Sequence, residues 1–205
     1  LYVQELDIVR KANIVLVEVQ YRLGVFGYFT HPAFRSEEVT PENSGNFGTL
    51  DQIKALRWVR HNIAAFGGNP HNVTIGGHSG GGHNVAQLKI SPLARGLFHR
   101  AVIQGDPWLA QSVTEIDRTA NRTIENSLTM QKAAKDADDA HRIRMEMTDT
   151  ELVSFLRSAP AADLVNAQFA CRLNPVWSPV IEDGLGIPGH LHRVVESGHY
   201  SPVPT

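Results

Sequence analysis

Residues 73–82 read VTIGGHSGGG. The stretch opens with a short apolar run, Val73 to Ile75, which predicts a buried strand, and a helical pattern from about Gly80 to Ile90 follows it. A Gly-x-Ser-x-Gly pattern between a strand and a helix is typical of a tight turn that presents a nucleophilic serine. We therefore expect Ser79 to lie in a strained turn at the carboxyl end of a strand, with its hydroxyl exposed.

The residues around Ser79 each have an expected role in such a turn. Gly77 and Gly81 stand two residues before and two residues after Ser79, where a side chain would collide with neighbouring backbone. Gly80 would open the helix, so its N–H can donate to an oxyanion. His78 precedes the serine and is expected to form a pocket wall rather than to act as the base, because adjacent residues on a turn point in different directions.

Other glycine-rich sites were compared with this one. A phosphate-binding loop of the Gly-x4-Gly-Lys-Ser/Thr type needs a lysine, and none follows before Lys89. A dinucleotide-binding turn needs an acidic residue about 20 positions further on, but residues 89–98 contain none. A glycine-rich turn with an incidental serine remains the simplest alternative on the residues alone.

The elements on either side predict an α/β fold. Asn13 to Gln20 is a β-branched run that predicts a buried strand, and Arg100 to Gln104 predicts another. Between them, apolar residues recur every three or four positions from Leu50 to Ile63, and Gly67-Gly68 supplies a helix stop. Alternating strands and helices favour a mostly parallel sheet covered by helices.

The second half of the chain has a different pattern. Residues 115–147 are charged and alanine-rich, which predicts solvent-facing helices. Thr148 and Glu151 have the spacing of a capping box, and Ser158 with Pro160 starts another helix. Trp177 to Pro204 reads as strand and loop. We interpret residues 1–205 as part of one domain with a helical excursion from the sheet.

Composition excludes several classes of partner. The chain has 205 residues with 19 Lys and Arg against 21 Asp and Glu, so no broad basic surface for nucleic acid is expected. The most apolar stretch, Ile14 to Val19, is much shorter than the ~20 residues of a membrane span.

Cys171 is the single cysteine, so no disulfide can form within these residues. Two glycosylation sequons occur, at Asn72-Val73-Thr74 and Asn121-Arg122-Thr123.

Several linked motifs resemble the type-B carboxylesterase family, which includes the cholinesterases. They are YRLGVFG at 21–27, NFGTLDQ at 46–52, ALRWV at 55–59, NIAAFGGNP at 62–70, SPLARGLF at 91–98 and, more loosely, SPVIEDG at 178–184. The resemblance implies an α/β-hydrolase fold, with a central mostly parallel sheet and helices on both faces. It also implies hydrolysis of small carboxylic esters through an acyl-serine intermediate. No cofactor or metal is expected. Secretion or the endoplasmic reticulum lumen is common for animal relatives, and the oligomeric state stays open.

This chain departs from the family pattern at several places, one of them Phe155, which stands where similar proteins carry a disulfide cysteine. The family usually has Glu at the position of His78 and Ala at that of Gly80. It also usually has a Ser-Gly pair after the strand ending at Gln104, whereas Gly105 to Trp108 follow here as though residues were deleted. These departures keep a second function class open, a catalytically inactive binding or cell-adhesion module.

A serine nucleophile needs a histidine base and an acid, which follow it in the order Ser, acid, His in this fold. Asp183 and His199 have that order, but 199 minus 183 is 16 residues, fewer than the ~30 that a strand-to-strand crossover requires. We therefore expect the acid and the base beyond residue 205 and the upstream oxyanion glycine loop before Leu1. The chain is interpreted as an interior segment, inactive when alone.

Arg22 and Asp51 are two charged residues next to apolar runs. An unpaired charge would be costly there, so we expect them to form a buried ion pair behind the sheet. This interpretation gives both residues a structural role rather than a catalytic one.

Overall fold

The computed structural model describes residues 7, 9–36, 38, 40–105, 110–171, 180–189 and 191–205. Its first half includes the helices α1 Gly24–Gly27, α2 Phe47–Asn62 and α3 Gly80–Ile90 and the strands β1 Thr74–His78 and β2 Arg100–Gln104. Short 3-10 helices occupy Pro32–Phe34, Ile63–Phe66 and Pro92–Ala94. The second half holds β3 Ala110–Gln111, α4 Val113–Met130, α5 Ala137–Glu146, α6 Asp149–Ser158, α7 Ala161–Ala170, β4 Val180–Ile181 and α8 Leu191–Glu196.

Parallel strand pairs form the sheet structure of the described residues. β1 pairs with β2 in parallel, with Thr74 opposite Arg100 and His78 opposite Gln104. β3 pairs with β4 in parallel as well. The predicted parallel α/β arrangement is confirmed for these pairs, and α3 makes the crossover between β1 and β2.

Two helices cover one face of the β1–β2 pair. Ile53 of α2 and Val85 of α3 pack in one apolar cluster with Ile75 of β1 and Ala101 of β2. Val102 points to the opposite face of the pair and is 47 % exposed. The core that positions the β1–α3 turn therefore lies between the strands and the two helices.

α2 confirms the periodicity of its sequence. Its buried residues include Ile53, Leu56 and Val59, and the chain continues into the 3-10 helix Ile63–Phe66. Gly67 then ends the element in the left-handed region, at φ 80°.

The predicted strand at Asn13 to Gln20 is wrong. Residues 14–20 lie outside helices and strands, and the side chains of Ile14 and Leu16 are 44 % and 47 % exposed. A β-branched run becomes a strand only when a neighbouring strand satisfies its N–H and C=O groups. No strand of the described residues pairs with this run, so its propensity alone does not place it in the sheet.

The helical excursion is confirmed. α4, α5, α6 and α7 follow β3 in sequence, and α4 contacts both α5 and α7. The capping box at the start of α6 forms, because the Thr148 side chain accepts from the Glu151 N–H and Glu151 accepts from the Thr148 N–H at 2.9 Å. The interpretation of Trp177 to Pro204 as strand and loop is wrong at α8, and Trp177 to Pro179 lie outside the described residues.

The ion pair between Arg22 and Asp51 forms, but it is not buried. Arg22 Nη2 lies 2.7 Å from Asp51 Oδ1, and Arg22 Nε and backbone N–H donate to Oδ2 at 2.8 and 3.0 Å. These hydrogen bonds lower the pKa of Asp51 below its ordinary value. The two side chains are 52 % and 26 % exposed, so solvent screens the pair.

Asp51→Asn should therefore destabilise the full-length protein modestly and leave turnover unchanged. Because the pair is half exposed, we expect a loss of about 1 kcal/mol in the free energy of unfolding, measured by urea denaturation. Asp138→Asn, at an exposed position outside the pair, is the control. Unchanged stability together with abolished ester turnover would contradict the structural role.

Candidate active site

Ser79 forms the connection between β1 and α3. Its backbone has φ 54° and ψ −118°, a region that non-glycine residues rarely adopt. The Ser79 N–H donates to the Gln104 carbonyl at 2.7 Å, and the Ser79 carbonyl accepts from the His83 N–H at 3.1 Å. Bonds to β2 on one side and to α3 on the other hold the strained turn in place.

The turn is so tight that Gly77 cannot carry a side chain. A Cβ atom at Gly77 would lie 2.2 Å from the carbonyl carbon of Gly81, which is backbone and cannot move aside cheaply. A Cβ at Gly82 would likewise lie 2.8 Å from the carbonyl oxygen of Gln104. α3 can start directly beside β1 and β2 only because these positions are glycine.

The expected collision at Gly81 is wrong. A Cβ at Gly81 would meet no atom within 4 Å. The close approach brings the backbone of Gly81 against Gly77, so the steric demand falls on Gly77 and not on Gly81. The sequence pattern did not single out Gly82, although it faces β2 more closely than Gly81 does.

Gly80 is the first residue of α3. The first N–H groups of a helix have no acceptor within the helix, and they lie at the positive end of its dipole. A Cβ at Gly80 would meet no atom within 4 Å, so the space beside this residue is open among the described residues. An anion that forms next to Ser79 can therefore accept a hydrogen bond from the Gly80 N–H.

The structure does not bring Asp183 and His199 together. Asp183 Oδ1 accepts from the backbone N–H groups of Leu185 and Ile187, both at 2.9 Å. Its Oδ2 accepts from Asn46 Nδ2 at 2.8 Å. His199 Nδ1 lies 2.9 Å from Ser197 Oγ. The contacts of Asp183 therefore lie within the loop after β4 and with Asn46.

The remaining late histidines and His78 lie in different surroundings. His141 Nδ1 lies 2.9 Å from Glu125 Oε1 in the helical excursion. His192 is exposed on α8, and His190 lies outside the described residues. His78 is exposed at the last position of β1. His141 is thus held at a place other than Ser79, and His78 and His192 are exposed side chains.

Asn46 is a structural residue that sequence reasoning missed. It is 1 % exposed, although residues 30–47 are rich in Pro, Ser, Asn and Glu without an apolar period, which predicts an exposed loop. Its Nδ2 donates to the Ile181 carbonyl at 2.7 Å, and its Oδ1 accepts from the Ile181 N–H at 2.8 Å. The Asn46 side chain thus bonds both backbone groups of Ile181, as a neighbouring strand would. The two residues are 135 positions apart, so no local pattern in the sequence predicts this contact.

Gly105 follows β2 and lies next to Ser79. It has φ 116°, and a Cβ there would lie 3.4 Å from Ser79 Cα. The departure from the family pattern noted after Gln104 therefore begins at a residue that borders Ser79. Asp106 to Trp108, which complete that departure, lie outside the described residues.

Other candidate features of the described residues lie elsewhere. A cavity of about 250 Å³ is lined by residues of α4, α5 and the end of α7, including Arg122, Asn126 and Cys171, and it does not include Ser79. Within the described ranges, no group of three or more His, Cys, Asp or Glu side chains is placed to hold a metal ion. The described helices are also too short or too polar to cross a membrane.

Comparisons with known proteins identify a family and a set of relatives. A family model described as the carboxylesterase family matches residues 2–205. An acylcarnitine hydrolase of Rattus norvegicus is 36 % identical over 94 % of this chain and 30 % of its own length. Carboxylesterase 1D of Mus musculus is also 36 % identical, over 94 % of this chain and 32 % of its own length.

A solved structure has the same fold. The carboxylesterase EST55 of Geobacillus stearothermophilus superposes with a TM-score of 0.73 at 31 % identity, covering 96 % of this chain and 37 % of the EST55 chain. The α/β-hydrolase fold is thereby confirmed. The chain spans about a third of the length of the relatives that it matches.

Proposed function

This chain belongs to the carboxylesterase family, and from that premise we propose that the full-length protein hydrolyses carboxylic esters with Ser79 as its nucleophile. The observation that carries the proposal is the turn between β1 and α3. It holds Ser79 at φ 54° next to the first amide of a helix. Strand, strained serine and helix are the structural context that gives the Gly-x-Ser-x-Gly pattern its chemical meaning.

The proposed reaction has two steps. Ser79 Oγ attacks the ester carbonyl carbon, a histidine removes the serine proton, and the alcohol leaves with a proton from that histidine. Water then attacks the acyl-serine while the histidine takes its proton; the bond from the acyl carbon to Ser79 Oγ breaks, the histidine returns the proton to Oγ, and the acid product leaves. In both steps the Gly80 N–H donates to the carbonyl oxygen as it becomes negative. The reaction needs no metal and no organic cofactor.

The substrate class proposed is a small carboxylic ester. An acylcarnitine hydrolase and a carboxylesterase are among the proteins similar to this chain, and both names denote hydrolysis at a carboxylic ester or acyl bond. We propose no nucleic-acid partner, because charge is balanced at 19 basic against 21 acidic residues.

We place the catalytic acid and histidine outside residues 1–205, and the whole chain within one hydrolase domain. The contacts of Asp183 and His141 support this placement, since each is already held by other residues.

A serine without its base stays protonated near neutral pH and attacks esters poorly. Residues 1–205 expressed alone should therefore hydrolyse p-nitrophenyl acetate no faster than their Ser79→Ala variant. Turnover well above that variant would place a complete catalytic set within these residues.

Fluorophosphonate labelling of the full-length protein tests the proposed function. The probe reacts with activated serines, so we expect one adduct, located by peptide mass spectrometry on Ser79. An adduct at another serine would show that the nucleophile lies elsewhere. Absence of any adduct from folded protein, together with no ester turnover, would favour the inactive binding module.

A further inference from the structure

The two glycosylation sequons of this chain lie in different structural settings. One is Asn72-Val73-Thr74, at the entry to β1, and the other is Asn121-Arg122-Thr123, inside α4. A glycan is bulky and hydrophilic, so a modified asparagine lies at the protein surface, ordinarily in a loop. The structure therefore distinguishes two tripeptides that the sequence left equivalent.

Asn72 lies in an exposed turn with its acceptor nitrogen available. Asn72 and Thr74 are both exposed, and the Asn72 N–H donates to the Asn69 carbonyl at 3.0 Å to close the turn. Arg100 Nη1 donates to Asn72 Oδ1. This bond uses the amide oxygen only, so a sugar on Nδ2 would leave it in place.

Asn121 is a half-buried residue of α4 that contacts the buried side chain of His31. Its Oδ1 accepts from His31 Nε2 at 3.1 Å, while His31 Nδ1 accepts from the Ala33 N–H at 3.1 Å. These two bonds require neutral His31 with its proton on Nε2. Burial lowers the pKa of His31, which also favours the neutral form. Arg35 holds this loop to α4 through two bonds of 2.6 Å to Asp117.

The third residues of the two sequons differ in exposure as well. Thr123 is 1 % exposed, and its hydroxyl donates to the Thr119 carbonyl at 3.0 Å within α4. Thr74 starts β1 on the exposed face of the strand. Asn121 is less exposed than Asn72 and lies where α4 contacts the His31 loop, so a bulky glycan has less room there than on the exposed turn of Asn72.

We propose that Asn72 is an N-glycosylation site of this protein and that Asn121 is not. In the transfer, Asn72 Nδ2 forms a bond to C1 of the terminal sugar of a lipid-linked oligosaccharide. The bond between C1 and the pyrophosphate oxygen breaks, the lipid pyrophosphate leaves, and Nδ2 loses one proton. Because transfer takes place before the chain folds, the structure decides which modified chain can go on to fold.

The glycan site is independent of the chemistry at Ser79. Asn72 precedes β1 and Ser79 follows it, so seven residues at the rise of a strand separate them by roughly 20 Å. A glycan at Asn72 lies at the amino end of the strand, opposite to the end where an ester would bind. Its loss should therefore leave ester turnover unchanged.

The test is site occupancy in the secreted protein. The full-length protein is expressed in animal cells behind a secretory leader, and the folded, secreted product is treated with peptide N-glycosidase in water enriched in oxygen-18. We expect the labelled conversion of asparagine to aspartate at Asn72 and no conversion at Asn121. Thr74→Ser should keep the modification, and Thr74→Ala and Asn72→Gln should abolish it.

Two results would overturn this assignment. The first is an unmodified Asn72 in the secreted wild-type protein. The second is a modified Asn121 in that protein with its fold intact, judged by a cooperative melting transition. Both readouts come from the wild-type chain, so the test does not depend on the folding of any variant, and neither depends on whether Ser79 is the nucleophile.

Discussion

Replacing Ser79 by alanine in the full-length protein should lower kcat/KM for ester hydrolysis by roughly 10⁴–10⁶-fold, because the variant lacks the hydroxyl on which the proposed acyl intermediate forms. Alanine removes only the hydroxyl, and the backbone bonds that hold the turn remain, from Ser79 N–H to Gln104 and from His83 N–H to Ser79. Stability should change little. The residual rate should reflect binding and the Gly80 amide alone.

The matched control for this variant is Ser158→Ala. Ser158 is an exposed serine at the end of α6, where its hydroxyl donates to the Phe155 carbonyl at 2.9 Å. It should retain full activity. Comparison of kcat/KM and of melting temperature for the two variants separates loss of the nucleophile from loss of the fold. Equal activity in both variants would exclude Ser79 from the reaction.

Gly77→Ala should be the most damaging change in the turn that leaves Ser79 itself in place. The added Cβ would stand 2.2 Å from the Gly81 carbonyl carbon, so β1 and α3 must move apart. Displacement of about 1 Å at a reacting atom already costs roughly 10²-fold in rate. We expect at least that loss in kcat/KM, together with a lower melting temperature.

Gly80→Ala and Gly81→Ala are the controls for this steric argument. A Cβ at either position meets no atom within 4 Å, and the Gly80 N–H is kept. Both variants should fold and should retain activity within about tenfold, measured as kcat/KM, since no oxyanion donor is lost. If Gly77→Ala were as active as these two, the tight approach of β1 to α3 would not be a requirement of the site.

Local patterns predicted the elements whose signal lies within one segment. The apolar period of α2, the Gly67 stop and the capping box of Thr148 and Glu151 were all readable, because helix faces and caps depend on residues three or four positions apart. The turn at Ser79 was readable for the same reason, since its strand and helix adjoin it in sequence.

Features that depend on distant partners were not readable. Asn13 to Gln20 has strand propensity, but β structure needs a neighbour that no local pattern specifies. Asn46 is polar within a polar segment, and only its contact with Ile181 makes it a core residue. The Arg22–Asp51 pair was predicted from its chemistry, whereas its exposure depends on how much of the chain packs over it.

The steric requirement at Gly81 shows a third kind of failure. A Gly-x-Ser-x-Gly pattern treats the two outer glycines as equivalent. In the folded turn the Cβ direction of Gly77 points into the backbone of Gly81, while the Cβ direction of Gly81 points to open space. The sequence pattern predicts that the backbones of residues 77 and 81 approach closely, but it does not show that only residue 77 must be glycine for that reason.

Trapping the acyl-enzyme is the most direct test of the claim that Ser79 is the nucleophile. The full-length protein is mixed rapidly with p-nitrophenyl acetate, quenched in acid during the first turnover, digested and analysed by mass spectrometry. We predict one acetyl group on the peptide that contains Ser79, with fragment ions placing it on Ser79, and no such group in the Ser79→Ala variant. An acetyl group on a different residue of the wild-type protein, or an acetylated peptide of Ser79→Ala in the same amount, would contradict the account.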